Sequence, residues 1–164
     1  SGVHDLLPNR VGGAALQKNL ETLGDIQYTQ EEIDFALELQ RNNGKPEIGI
    51  DGKIRPLRET LNSPGGGSTD SGDVSYNVPV VSLAATTAPK GVPWHSWSVV
   101  ASSGMSIGHK GMLHAAKALG MTMVDIFKDG KLRENIKKEF DEKIGEYEYD
   151  PYLDPGPPPI DYLD

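Results

Sequence analysis

The sequence predicts an α/β fold in which helices pack against a sheet of few strands. Three observations lead there. Two segments open on helix-capping residues and close on glycine or asparagine. A long apolar stripe at helical spacing runs from Ile107 to Phe127. A short apolar run, Val78 to Ala85, lies between turn-rich stretches and reads as a buried strand entered through Pro79.

The first helix starts at Asn9, whose side chain suits an N-cap. Val11, Ala14, Ala15 and Leu20 mark its apolar face, and Gly24 ends it. Thr29 and Glu32 form a capping box for the second, in which Ile33, Ala36, Leu37 and Gln40 keep the spacing until Asn42-Asn43-Gly44. Lys45 to Asn62 carries little pattern beyond a turn at Asp51-Gly52, and Ser63 to Gly72 is a glycine-rich loop. The long helix is expected to be capped by Ser103 or Ser106. Its stripe comprises Ile107, Met112, Ala115, Ala116, Leu119, Met123, Ile126 and Phe127, interrupted by Gly120. Asp129-Gly130 separates it from a charged amphipathic helix, Leu132 to Ile144. Beyond Gly145 the chain turns to Pro, Tyr and Asp, a composition that buries no core of its own and suits a segment lying extended on a partner.

Size and composition limit the functions available. The 164 residues suffice for one domain, and the low hydrophobic share of 37% with 19 Gly and 12 Pro gives loops a large part of it. No apolar run approaches the ~18 residues of a membrane span. Ser1 to Leu7 has neither the basic patch nor the apolar stretch of a secretory leader. The absence of cysteine excludes disulfides, thiolate metal sites and cysteine nucleophiles, and suits a cytoplasmic location. Of the net charge of −8, nearly all lies in the tail, where residues 141–164 hold eight acids and the single base Lys143. The body is close to neutral without a basic stripe, which argues against nucleic acid as a partner.

The candidate chemistry centres on histidine. His95 stands between the chain's only two tryptophans, Trp94 and Trp97, with Ser96 alone intervening before the second. A histidine so held either packs between its neighbours or offers a neutral ring nitrogen to a metal ion. His109 lies near the first turn of the long helix, where the electropositive helix end favours a neutral ring; it too reads as a ligand or as a solvent-facing side chain. His114, five residues on, is rotated by about 140° and cannot easily share an ion with His109. The loop containing Gly66, Gly67, Ser68 and Thr69 presents consecutive backbone N–H groups that suit an anion, or serves as a plain turn. It lacks the Gly-Lys-Ser/Thr of a nucleotide loop. Asp70 and Asp73 beyond it are placed to orient a metal-bound histidine or to cap the next segment. No Gly-x-Ser-x-Gly elbow supports a serine hydrolase.

Taken together, the segments GVHDLLPN (2–9), GGGSTDSGDVSYNVPVVSL (65–83), GVPWHSW (91–97) and SIGHKGMLHAAKAL (106–119) resemble the zinc aminoacylase/carboxypeptidase G peptidase family, often named amidohydrolases. Within it the likeness is to the branch acting on aminobenzoyl-glutamate. The resemblance covers most of residues 2 to 128, in the family's order. It implies the C-terminal part of a mixed-sheet, helix-flanked zinc-peptidase catalytic domain. Residues 1–8 would then close the connection from a lid domain, residues 9–145 would belong to the catalytic domain, and residues 146–164 would form the acidic Pro-rich tail.

The resemblance further implies two divalent metal ions, zinc by type, with His95 at the position of the family's last metal-binding histidine. The family has a proline after its His-Ser where Trp97 stands here, so His109 is the second candidate. Gly66, Gly67, Ser68 and Thr69 match the lining of the substrate pocket, and Asp70 and Asp73 take supporting positions. The family's motifs for its bridging Asp and its Glu base do not occur in this chain. The resemblance therefore implies an amidohydrolase segment inactive alone, partnered by the missing N-terminal part of the same enzyme and by a small amide substrate bearing a carboxylate. Uncovered apolar surface would favour a homo-oligomer. The alternative is a non-catalytic interaction module that keeps this scaffold and docks a partner through its acidic tail.

Overall fold

The computed structural model describes residues 2–58, 69–153 and 156–157. Regular structure among them is helical: α1 (Arg10–Leu23), α2 (Gln30–Asn42), α3 (Ser71–Ser75), α4 (Trp97–Ser103), α5 (Ser106–Lys128) and α6 (Gly130–Ile144).

The cap residues of the first two helices do what their chemistry predicts. Asn9 adopts an extended backbone, and its side-chain oxygen accepts from the Gly12 N–H at 2.8 Å. The two preceding donors of α1, the N–H groups of Arg10 and Val11, bond to the Glu139 carboxylate of α6 at 2.9 and 2.7 Å. An acid from a distant helix thus satisfies donors that a helix start leaves open and complements its positive end. Gly24, at φ 76°, stops α1 in a conformation that a side chain would resist. In α2 the Thr29–Glu32 capping box is complete in both directions.

α5 is the central element, with α1, α4 and α6 packed on it and α1 also against α6. Leu16, Ile107, Ala118 and Ile136 are buried at these contacts. Buried Asn19 crosses from α1 to α5, donating to Thr122 at 3.1 Å and Asp125 at 2.8 Å. α2 is tied to α5 by an ion pair, Lys110 Nζ to Glu32 Oε2 at 2.6 Å. Burial raises the Glu32 pKa, but hydrogen bonds from Lys110, Ser106 and the Thr29 backbone outweigh it and bring it to about 2. At Gly111, a side chain would land on the Thr86 carbonyl, so this glycine lets the connection before the tryptophans lie directly on α5.

The α/β expectation, with its mixed sheet, is overturned. Val81 to Ala85 has the burial alternation of a strand: Val81, Leu83 and Ala85 are half-buried, while Ser82 and Ala84 are exposed. Yet it is assigned no strand, and no strand occurs among the described residues. A strand is a relation between two backbones, and side-chain pattern alone does not supply the second. The cap of α5 also differs from expectation. Met105 holds that position without a side-chain hydrogen bond, Ser103 ends α4 and Ser106 is the first residue of α5. Gly120 leaves the helix unbroken.

Candidate functional site

The turn that carries His95 is held from both ends by α2. Fully buried Gln40 donates through its amide nitrogen to the carbonyls of Gly49 at 2.9 Å and Lys90 at 2.8 Å. Its oxygen accepts from the Gly49 N–H at 2.8 Å, so both ends of the amide are used. One helical turn further, Asn43 donates to Ser98 Oγ at 2.7 Å and thereby anchors the start of α4. Between these fixed points Val92 is buried and the Ser96 hydroxyl closes back onto the Pro93 carbonyl.

Within this clamped stretch His95 has φ 59°, the sole non-glycine residue at positive φ among those described. Left-handed backbone is uncommon outside glycine, histidine adopting it more readily than most, and costs about 1–3 kcal/mol when imposed by its surroundings. His95 is exposed, and its flanking indoles are largely in solvent, Trp94 at 71% and Trp97 at 58% exposure. Its ring makes no hydrogen bond to a described residue. The strain therefore presents an outward imidazole rather than a packed one.

Trp94 also borders an open groove of about 770 Å³ between α1, residues 51–58 and residues 80–92. Its floor is apolar, with Leu16, Leu20 and Val81. Arg10, Lys53, Arg55, Arg58 and Lys90 contribute cations to its lining, against the acid Asp51. Such a lining favours a guest with an apolar body and a negative end.

The other predicted positions are spread around this centre. His109 is exposed on the first turn of α5, and His114 is half-buried further along. Gly66, Gly67 and Ser68 lie outside the described residues. Thr69 and Asp70 are exposed just before α3, and the Asp70 side chain makes no capping bond to that helix.

Asp73 does serve a histidine, and that histidine is His4. His4 is buried, with Nδ1 2.8 Å from Asp73 Oδ1 and Nε2 2.9 Å from the Tyr147 hydroxyl. Its ring stacks on Tyr152 at 4.2 Å between centroids, with Tyr76 and Tyr149 also against it. The hydrogen bond to His4 leads in lowering the Asp73 pKa, with Tyr149 contributing and burial opposing. Local pattern does not reveal the role of His4, because its partners lie 69 and 143 residues away. The one visible signal is the closely spaced tyrosines of an otherwise polar tail, which here fold onto the chain's own start.

Among the described residues no group of three His, Asp or Glu side chains is arranged to hold a metal ion. His95 belongs to no such group among them. No described helix is long and apolar enough to cross a membrane.

Fold and site thus define a helical chain in which an exposed histidine follows a tryptophan that lines an open groove. This chain is similar to the B subunit of p-aminobenzoyl-glutamate hydrolase from Escherichia coli (strain K12). It is 33% identical over 157 residues, covering 81% of this chain and 33% of that protein. The chain therefore spans about a third of the length of the curated relative it matches. That relative's name falls in the branch the sequence resembles. No family model matches the chain, and no solved structure matches it.

Proposed function

We propose that this chain is the C-terminal part of a metal-dependent amidohydrolase that cleaves the amide bond of an N-acyl or aminobenzoyl amino acid. The observation that carries the reading is His95: an exposed imidazole at φ 59°, in a turn tied to α2 on both sides and next to a tryptophan of the groove, in a chain similar to a hydrolase subunit. In this reading His95 supplies one ring nitrogen to the metal centre, with His109 as the second candidate. When bound, two divalent ions, zinc by preference for an imidazole donor, supply an acidified water and a polarised carbonyl. The groove cations and the backbone of Gly66 to Thr69 hold the substrate's carboxylate and carbonyl. The general base and the remaining donors come from the part of the enzyme beyond the aligned third, so the chain alone hydrolyses nothing.

A chimera tests this directly. Residues 2–153 replace the matching third of the E. coli relative, and hydrolysis of p-aminobenzoyl-glutamate is assayed with metal content measured alongside. The chimera should cleave the amide, and His95→Ala should lower kcat by at least ~100-fold, the scale of losing a metal or its orientation. A folded, inert chimera would remove the hydrolase reading. A His95→Ala chimera with full activity and metal content would remove His95 from the centre.

A further inference from the structure

α5 turns an apolar face to solvent. Met112, Leu113, Leu119, Met123, Val124 and Phe127 are all exposed, Phe127 at 77%. At 100° per residue they span one arc of about 140°, opposite Gly111, Ala118 and Thr122, which face the chain's own core. No charged side chain lies inside that arc. Side chains of these types at such exposures leave on the order of 600 Å² uncovered, the size at which a patch on a monomer marks an interaction site.

We infer that this face of α5 is the seat of the remaining, larger part of the hydrolase, packed through an apolar surface of its own. The inference rests on the hydrolase reading above and adds the surface. Three observations select this occupant. The chain spans 33% of its relative, so a body about twice its size accompanies the matching segment there. His109 opens the same stripe, at the helix angle of Phe127, and α4, which follows His95 directly, packs on α5. A body that brings donors to His109 therefore arrives on this side. Finally, the uncharged arc calls for an apolar counterpart of comparable extent.

Hydroxyl-radical footprinting of the isolated chain and of the chimera described above decides the matter. Modification of Met112, Met123 and Phe127 should fall at least ~5-fold in the chimera, as for side chains moved from surface to interface. Unchanged modification overturns the surface, even if the chimera is active; protection in an inactive chimera leaves the surface standing and removes the hydrolase reading. If light scattering finds the isolated chain dimeric with these residues already protected, a second copy is the occupant and the proposal falls. Met123→Glu and Phe127→Glu in the isolated chain give a second measure. Both should leave helix content intact and Tm within about 2 °C, as expected of uncovered positions. A fall beyond about 5 °C would show the face already covered within the chain and overturn the proposal.

Discussion

His4 and His95 are the same residue used in opposite ways. His4 is buried, both ring nitrogens are engaged, and four tyrosines surround it. Since ionised Asp73 only accepts, Nδ1 donates to it, and Nε2 is taken up by the hydrogen bond with the Tyr147 hydroxyl. Nothing of the ring is left for an outside ligand. His95 is exposed, makes no hydrogen bond to a described residue, and sits on a strained backbone. One ring closes a structure, joining the chain's start, α3 and the tail. The other stays exposed at a left-handed backbone, with no hydrogen bond to a described residue.

The largest effect should separate the two at once. His4→Ala removes a stacked ring and leaves Asp73 and Tyr147 without their partner. The expected loss is about 3 kcal/mol, from emptied aromatic volume and unpaired polar groups. Hydrogen exchange should show Gly2–Leu7 and Glu146–Leu153 losing protection together, while the Lys90–Ser98 stretch keeps its own. Independent opening of the two ends would break the picture of His4 as their common anchor.

What the sequence reveals follows the same division between local and distant causes. Asn9, Thr29 with Glu32, Gly24 and Gly44 are legible because capping is settled within a few residues. Val78 to Ala85 shows a strand's side-chain pattern without its partner, so the expected sheet does not follow. α3 escapes notice because its Gly, Ser and Asp favour turns in isolation. The short helix holds because Leu7 N–H bonds to Ser75 Oγ at 2.8 Å and Gly72 lies directly against the His4 carbonyl. For the site, the two tryptophans single out His95, but nothing local announces its positive φ. The ties that flank the turn are equally out of local reach, since Gln40 and Asn43 come from 50 and 55 residues away.

Next in size is the pair that fixes the helix behind His95. Lys110→Met leaves Glu32, 4% exposed, without its cation. A fully buried pair would lose about 3–5 kcal/mol; with 34% of the Lys110 side chain in water, about 2–3 kcal/mol is expected. The pH dependence has a fixed sign. The Glu32 pKa falls from 4.5 unfolded to about 2 folded, so its stabilisation is complete above about pH 4.5 and is lost as pH falls towards 2. Lys110→Met should shrink or reverse that acid loss, because an unpaired buried carboxylate prefers its proton. Denaturant midpoints from pH 2 to 6 would show it, and identical acid slopes in the two proteins would contradict the pairing.

Gln40→Leu then loosens the His95 side alone. It leaves the Lys90 carbonyl and both Gly49 backbone groups without their partner, an expected loss of about 2 kcal/mol. The only tryptophans flank His95, so intrinsic fluorescence reports this turn selectively. Tryptophan anisotropy should fall while the exchange protection of the His4 cluster stays as it was. If anisotropy holds steady, the buried amide is not what orders the turn.

The smallest effect runs in the opposite direction and bears most on function. Glycine reaches φ 59° without a side-chain penalty, so His95→Gly should relieve strain and stabilise the isolated chain by about 0.5–1 kcal/mol. The greater conformational freedom of glycine in the unfolded state works against that gain and keeps it small. A residue placed for structure would lose stability on such a replacement, as is expected of His4. In the chimera, a higher denaturant midpoint joined to lost amide cleavage would identify His95 as a group retained for its chemistry at the expense of the fold. A destabilised His95→Gly chain would instead mean that the ring makes packing contacts worth more than its strain, and the contrast between the two histidines would no longer mark the site.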